Sequence, residues 1–182
     1  MALSMARISQ RRVKRFLSRA QAAATAKAKG TIFEDLICYI IETVPGVSVT
    51  KRGILNPYHS EEIDLAIWNE QLPTGFRVLH HVILIEAKHW SAPAGAPEIN
   101  HFVAKLRARK LPLGIFVALN GITGDAQGIT AAKDAVRQAL QDGIHVIVIK
   151  RADIEAFTSG AAMVRFVKEK ICELVASGTQ FD

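Results

Sequence analysis

Three short apolar segments constrain the fold more than any other feature of this sequence. They cover residues 82–85, 113–119 and 144–149, and each consists mostly of Val, Ile, Leu and Ala. Segments of this length and composition are typical of strands buried on both faces, and they are far too short to span a membrane. Helices are predicted between them, over residues 98–110 and 129–141. Strands and helices that alternate in this way predict a sheet with helices packed on it.

The preceding part of the chain adds antiparallel elements. A buried helix is predicted over residues 31–44, and Pro45-Gly46 ends it. Further strands are predicted over residues 47–50, 62–68 and 77–88, with a turn at 69–75 between the last two. One helix is expected near Ala152 and another over residues 161–175. We therefore expect an α/β fold, a mixed β-sheet flanked by helices, in a domain that covers residues 30–182.

The positive charge of the chain is concentrated at its N-terminus. Residues 1–30 contain eight of the 23 Lys and Arg residues and no acid, so the rest of the chain is slightly acidic. Apolar residues at helical spacing predict a basic amphipathic helix within an arm of residues 1–29. A second basic group ends the helix predicted over residues 98–110. The expected DNA contacts are Arg11, Arg12, Lys14, Arg15, Lys105, Arg107, Arg109 and Lys110.

Two other roles stay open for the arm. Its apolar residues Val13, Phe16 and Leu17 are suited to docking on a partner protein, which includes a second copy of this chain in a homodimer. An Arg-rich segment without acids is also typical of an organellar targeting segment. Cys38 and Cys172 are expected as reduced core residues, which favours a cytoplasmic location.

Charged residues occur where strands normally carry apolar ones. Asp64 lies inside the segment Ile63-Asp64-Leu65, and Glu86 and Lys88 follow the apolar run that ends at Ile85. Side chains alternate along a strand, so Glu86 and Lys88 face the same side. If the two strands pair through the turn between them, Asp64 comes level with this pair. The expected result is a group of two carboxylates and one amine.

Such a group suits phosphodiester hydrolysis. Carboxylate oxygens are ligands that Mg²⁺ prefers, and the ion polarises the phosphate and activates a water molecule. A lysine beside them can orient that water, or act as a base if its pKa is lowered. A Glu-x-Lys triplet alone is a weak signal, since a solvated ion pair at a strand end has the same sequence.

The sequence resembles the PD-(D/E)xK, or restriction-endonuclease-like, nuclease superfamily. The matching segments are GTIFE at residues 30–34, EIDL at residues 62–65 and ILIEAK at residues 83–88. The nearest members are type IV, Mrr-like restriction domains and archaeal Holliday-junction resolvases. The resemblance covers residues 30–150 and implies a mixed sheet flanked by helices.

The resemblance also implies a catalytic set and an activity. Asp64, Glu86 and Lys88 are expected to be catalytic, and Glu34 is expected to join Asp64 and Glu86 as a metal ligand. Thr31 and Glu34 also fit a capping box, which would explain the glutamate by helix capping alone. Relatives often add a polar residue from the following helix. The candidates for it are Glu98, Asn100 and His101.

The implied activity is Mg²⁺-dependent cleavage of DNA, with Mn²⁺ as a substitute. Whether the target is a restriction site or a DNA structure stays open. The competing interpretation is a nucleic-acid-binding or assembly module with the same fold and weak catalysis.

Overall fold

The computed structural model describes residues 6–55, 62–124 and 132–178 of the chain. This part forms helices on both faces of one five-stranded sheet. The helices are α1 (Gln10–Ala22), α2 (Ala26–Ile41), α3 (Ala96–Ala108), α4 (Ala132–Gln141), α5 (Arg151–Ala156) and α6 (Gly160–Ser177). The strands are β1 (Val47–Leu55), β2 (Glu62–Asn69), β3 (Val82–Lys88), β4 (Leu113–Ala118) and β5 (His145–Ile149).

The sheet is mixed, as the sequence predicts. Its strand order is β1-β2-β3-β4-β5; β1, β2 and β3 pair antiparallel, and β3, β4 and β5 pair parallel. The two parallel connections run through α3 and α4. Right-handed crossovers between successive neighbouring strands place both helices on one face of the sheet. The predicted α/β fold, a mixed sheet flanked by helices, is thus confirmed.

Both faces of the sheet are buried. On one face Gly114 lies against α3, so closely that a Cβ atom there would come within 2.6 Å of the Phe102 ring. Its neighbour Ile115 points to the opposite face and is fully buried too. The helices α2 and α6 contact each other and the sheet strands β3 and β5, respectively. The central strand β4 is therefore enclosed, which explains its continuous apolar sequence.

Two strand boundaries differ from the prediction. The segment before β3 was expected to be strand from residue 77, but the strand begins at Val82 and a turn precedes it. The side-chain amide of the buried Asn69 donates hydrogen bonds to the carbonyls of Phe76, Leu79 and His80, which holds the turn closed. β1 is longer than predicted and extends to Leu55, with an irregularity between Val49 and Lys51.

The helix that carries Glu34 begins earlier than predicted. α2 starts at Ala26, and the hydroxyl of its N-cap Thr25 accepts a hydrogen bond from the Ala28 amide. Thr31 lies inside this helix, and its hydroxyl donates to the carbonyl of Lys27. The capping-box interpretation is therefore wrong, and Glu34 is a mid-helix residue. The expected boundary between an arm and a domain, at residues 29 and 30, lies within α2.

The basic N-terminal helix packs on the rest of the chain. Val13, Leu17 and Ala20 of α1 are buried, and the amide of Ser9 donates to the hydroxyl of Tyr39. The guanidinium of Arg12 lies 4.1 Å from the Tyr39 ring centroid. Docking of a partner through Val13 and Leu17 is therefore wrong, because their own chain already covers these side chains.

Three smaller points complete the comparison. The start of the helix predicted over residues 129–141 lies outside the described residues, and α4 is described from Ala132. Cys38 is partly buried as expected, but Cys172 is exposed on α6 rather than in the core, and both are free thiols. In the described ranges no helix combines the length and the apolar character that a membrane span requires.

Candidate active site

The pairing of β2 with β3 brings three charged residues together. Leu65 pairs with Ile85 in the antiparallel register, so Asp64 comes level with Glu86, as expected from the sequence. The Oδ2 atom of Asp64 accepts a hydrogen bond of 2.8 Å from the amide of Ala87, and Lys88 Nζ lies 3.9 Å from the same oxygen. The strand end thus fixes one carboxylate by a backbone contact and leaves the lysine beside it.

Glu86 is held between two lysines. Its Oε1 atom lies 2.7 Å from Lys88 Nζ, and its Oε2 atom lies 2.8 Å from the Nζ of Lys105, which comes from α3. Glu86 is 5% exposed and Lys105 only 2%. A buried carboxylate needs compensating charge, and here each oxygen has its own ammonium group. The carboxylate orientation is therefore fixed from two sides.

The two acids and Lys88 shift one another's ionisation. Burial raises the pKa of Asp64, and the negative charge of Glu86 raises it further. Burial alone would lower the pKa of Lys88, but the charge and hydrogen bond of Glu86, together with Asp64, outweigh it and raise that pKa. Lys88 is therefore a protonated ammonium at neutral pH.

Glu34 faces the same cleft from α2. Its Oε2 atom lies 3.5 Å from an Arg52 nitrogen, and that arginine also pairs with Asp35 at 2.9 Å. Burial raises the pKa of Glu34, and the charge of Asp64 adds to the effect. The charge of Asp64 therefore repels the charge of Glu34, and a cation bound between the two carboxylates would offset this repulsion.

An open cleft of about 610 Å³ is lined by Glu34, Asp64 and Lys88 of this group. The residues around it come from α2, β1, β2 and the end of β3. They are Ala26, Lys27, Lys29, Gly30, Thr31, Glu34, Arg52, Gly53, Glu62, Asp64, Ala87, Lys88, His89 and Trp90. The lining therefore combines carboxylates with lysines.

Two further cavities continue the cleft toward α1. A second cavity of about 480 Å³ shares Lys29, His89 and Trp90 with the cleft and adds Arg151. A third of about 530 Å³ shares Arg151 with the second and adds Lys14 of α1. The three cavities form a path lined at intervals by basic side chains, which suits a polyanion.

The donor set of the cleft fits a hard divalent cation. Asp64 and Glu86 supply carboxylate oxygens, and Mg²⁺ typically takes one or two carboxylates and completes its shell with waters and substrate phosphate. Across the described ranges, no three His, Cys, Asp or Glu side chains are already arranged around a common point. The fit therefore rests on the carboxylate pair, with Glu34 as an outer member.

A family model described as restriction endonuclease, the Mrr catalytic domain, matches residues 25–154. This match covers most of the chain and includes every residue of the carboxylate–lysine group. The chain belongs to the Mrr restriction endonuclease family. No curated protein shows significant similarity to the sequence. The resemblance identified from the sequence motifs is confirmed, and with it a nuclease of restriction-endonuclease type.

The Mrr match begins at Thr25 and ends at Ile154, so the matched region runs from α2 into α5. Within that region Asp64, Lys88 and Glu34 line one cleft, and the buried Glu86 pairs with Lys88. The polar residues expected from the following helix do not join them. Glu98 instead accepts a hydrogen bond from the Gly95 amide at the start of α3, and Asn100 and His101 are exposed. The residue that α3 contributes is Lys105.

The second basic group therefore needs a correction. Lys105 was expected to contact DNA, but it is buried and bonded to Glu86, where no duplex can reach it. Arg107, Arg109 and Lys110 lie where α3 leads into β4, at the end of the parallel strands opposite to Lys88, and Arg107 pairs with Asp142. Four neighbouring cations in the sequence thus belong to two different regions.

Several residues of the site were missed from the sequence. Lys27, Lys29 and Arg151 line the cleft or its continuation, and only the tertiary arrangement of α2 and α5 shows this. The buried position of Lys105 could have been inferred from the sequence, because Lys105 follows Phe102 by three residues and so lies on the buried face of α3. A lysine at such a position predicts a buried acid opposite it.

Proposed function

We propose that this Mrr-family nuclease is a metal-dependent endonuclease that hydrolyses DNA phosphodiester bonds. The observation that carries the proposal is the partly buried group of Asp64, Glu86 and Lys88, with the buried Glu86 fixed by Lys105 at 2.8 Å. A protein gains little stability from burying such a charged group, so its arrangement indicates chemistry rather than folding.

Asp64 and Glu86 would hold the divalent cation, Mg²⁺ or Mn²⁺, and Glu34 would support it from α2. When bound, such a cation supplies Lewis acidity and offsets the negative charge of the scissile phosphate. The chain itself provides the orientation of these ligands. The Ala87 amide fixes Asp64, and the two lysines fix Glu86.

Lys88 contributes positive charge rather than a base. Its raised pKa keeps the amine protonated, so it can donate hydrogen bonds to a phosphate oxygen as negative charge develops there. The sequence had left open a basic role, which requires a lowered pKa. In the metal-free chain the direction of the shift favours the electrostatic role, because Glu86 and Asp64 hold the proton on Lys88.

DNA would follow the basic path from the cleft toward α1. Lys27 and Lys29 border the catalytic group, and Arg151 and Lys14 continue the path through the second and third cavities. The basic members of this path are side chains, and Arg151 also pairs with Glu155 at 3.9 Å. Side-chain cations support binding through phosphates without base reading.

A cleavage assay with metal titration tests the proposal. The chain, freed of metal by chelator, is incubated with supercoiled plasmid, linear duplex, junction and single-stranded DNA while Mg²⁺ or Mn²⁺ is added back. We expect cleavage that depends on the added metal and that is lost in a Glu86→Gln variant with an unchanged circular dichroism spectrum. Metal-independent cleavage, or equal cleavage by this variant, would contradict the proposal.

One observation favours the second candidate, a DNA-binding module with weak catalysis. Both oxygens of Glu86 already have ammonium partners, so a cation has to compete with Lys88 for Oε1. Calorimetric titration with Mg²⁺ separates the candidates. Metal binding that is lost in Asp64→Asn supports the nuclease, while DNA binding without metal binding or cleavage supports the module.

A further inference from the structure

Trp90 is an exposed aromatic side chain beside the catalytic lysine. It is 43% exposed although it follows the buried strand β3 by only two residues. The Nζ atom of Lys88 lies 5.9 Å from the centroid of its ring. The ring lines both the catalytic cleft and the second cavity, so it stands at the passage between them.

Hydrogen bonds fix the loop that presents this ring. The side-chain amide of Asn120 donates to the carbonyl of Trp90, and the Leu119 amide donates to the carbonyl of Lys88. Further along, Ala94 exchanges two backbone hydrogen bonds with Gly121 and Thr123, at 2.9 and 2.8 Å. The loop is thus tied to the segment after β4 on both sides of the tryptophan. An exposed ring on a fixed backbone is prepared for binding at low entropic cost.

Acidic residues line the cavity on one side of Trp90 only, although cations line the cavities on both sides. The carboxylates of Glu34, Glu62 and Asp64 lie on its cleft side. On the other side, the residues lining the second cavity contain no acid, and their charged members are Lys29 and Arg151. A phosphate group would therefore be attracted to the second cavity while the adjoining phosphodiester lies in the cleft.

We propose that Trp90 stacks on an unpaired base of the DNA substrate, with the phosphate beside that base held by Lys29 and Arg151. This inference rests on the proposed nuclease function and specifies its substrate class. Bases within a duplex are stacked on both faces, so a ring inside a cleft is reached only by a base that has left the stack. The preferred substrate then has single-stranded nucleotides next to the cleaved bond, as in gaps, flaps and junctions.

Tryptophan fluorescence provides a direct test without cleavage. The chain has two tryptophans, and Trp68 lies on β2, where its ring stacks on His81 and its Nε1 donates to Glu70. In a Trp68→Phe variant all tryptophan emission comes from Trp90. With chelator present, single-stranded and gapped oligonucleotides should quench this emission, and a blunt duplex of equal length should quench it much less. Equal quenching by the blunt duplex, or none by any DNA, would overturn the proposal.

Affinity measurements extend the test. Trp90→Ala should weaken binding of the gapped oligonucleotide by about 10-fold to 100-fold, the usual effect of losing one stacked base, and Trp90→Phe should recover most of it. Trp68→Ala is the matched control and should leave affinity unchanged. A loss in Trp90→Ala that is equal for gapped and blunt DNA would show a general contact instead of stacking.

The outcome is independent of catalysis. A chain that is quenched as expected but cleaves no DNA would refute the nuclease and keep the stacking site. A chain that cleaves gapped DNA equally well with Trp90→Ala would keep the nuclease and refute the stacking site.

Discussion

Helix α3 contributes to two ion pairs, one buried and one exposed to solvent. Lys105 pairs with Glu86, and these side chains are 3% and 6% exposed. Arg107, two residues later, pairs with Asp142, and these side chains are 59% and 54% exposed. The exposed pair costs little and contributes little, because water solvates its charges. Water does not solvate the charges of the buried pair, so each charge has to be compensated by the other.

The comparison shows that clustered charge in a sequence does not define one surface. Lys105, Arg107, Arg109 and Lys110 are neighbours along the chain, but one residue serves the catalytic group and the others lie at the opposite end of the parallel strands. Desolvation separates the two regions physically. Substitutions in the buried region should therefore alter activity and stability together, and those in the exposed region should alter neither.

Neutralising the carboxylates gives the largest expected effect. Glu86→Gln and Asp64→Asn should each lower the cleavage rate by about 10³-fold or more, because the divalent cation loses a ligand. Asp142→Asn removes the carboxylate of the exposed pair and should leave the rate unchanged. The rates are measured on one DNA substrate at saturating metal. An equal loss in all three variants would contradict the proposed difference between the buried and the exposed region.

Lys88→Met should lower the rate by about 10²-fold, since a positioned positive charge is lost from the reacting phosphate. DNA affinity, measured by fluorescence anisotropy with chelator, should change much less. An equal loss of rate and affinity would show that Lys88 binds a DNA phosphate and has no separate role in the reaction. Arg107→Met is the control, and both readouts should stay at the wild-type level.

Lys105→Met should destabilise the fold by about 3 kcal/mol, because Glu86 keeps a buried charge with one ammonium fewer. Lys110→Met, in the exposed region, should stay within about 0.5 kcal/mol of wild type. Urea denaturation measures both. Combining Lys105→Met with Glu86→Gln should recover part of the lost stability. No recovery would show that Lys105 acts through packing of its stem instead of its charge.

The salt dependence of DNA binding locates the phosphate-binding residues. A double variant Lys27→Ser and Lys29→Ser should reduce the slope of log affinity against log salt by about 0.9 for each phosphate that the variant no longer neutralises. The double variant Arg107→Ser and Lys110→Ser should change it less, because these residues lie at the other end of the parallel strands. A larger change in the second variant would show that DNA binds near the C-terminal end of α3 instead.

The smallest effect concerns pH. Asp64 binds its proton more tightly in the folded state, so its contribution to stability is lost as pH rises from the ordinary value of 3.8 through the raised folded value. Asp64→Asn cannot ionise and still offers an oxygen to the Ala87 amide. Relative to wild type, this variant should gain stability as pH rises through that window. Urea midpoints in chelator from about pH 4 to about pH 7 measure it. A constant difference would contradict the raised pKa.

Much of the catalytic group was predictable because strand geometry is regular. The alternation of side chains put Glu86 and Lys88 on one side, and pairing through a short connection placed Asp64 level with them. The turn before β3 was not predicted, because the buried amide of Asn69 that holds it is a tertiary contact. The start of α2 was missed because Thr25 caps the helix within a segment that was assigned to the arm.

The sequence by itself determined the sheet, its flanking helices and the identity of the catalytic strand residues. These features follow from local periodicity, since the apolar repeat decides which faces are buried. Only the tertiary structure decided which cations belong to the site. Lys105 reaches Glu86, and Lys29 and Arg151 flank Trp90, because α2, α3 and α5 converge on the ends of β3 and β4. Whether such charged side chains come into contact depends on how deeply each is buried. Their burial is set by packing between segments that are distant in the chain.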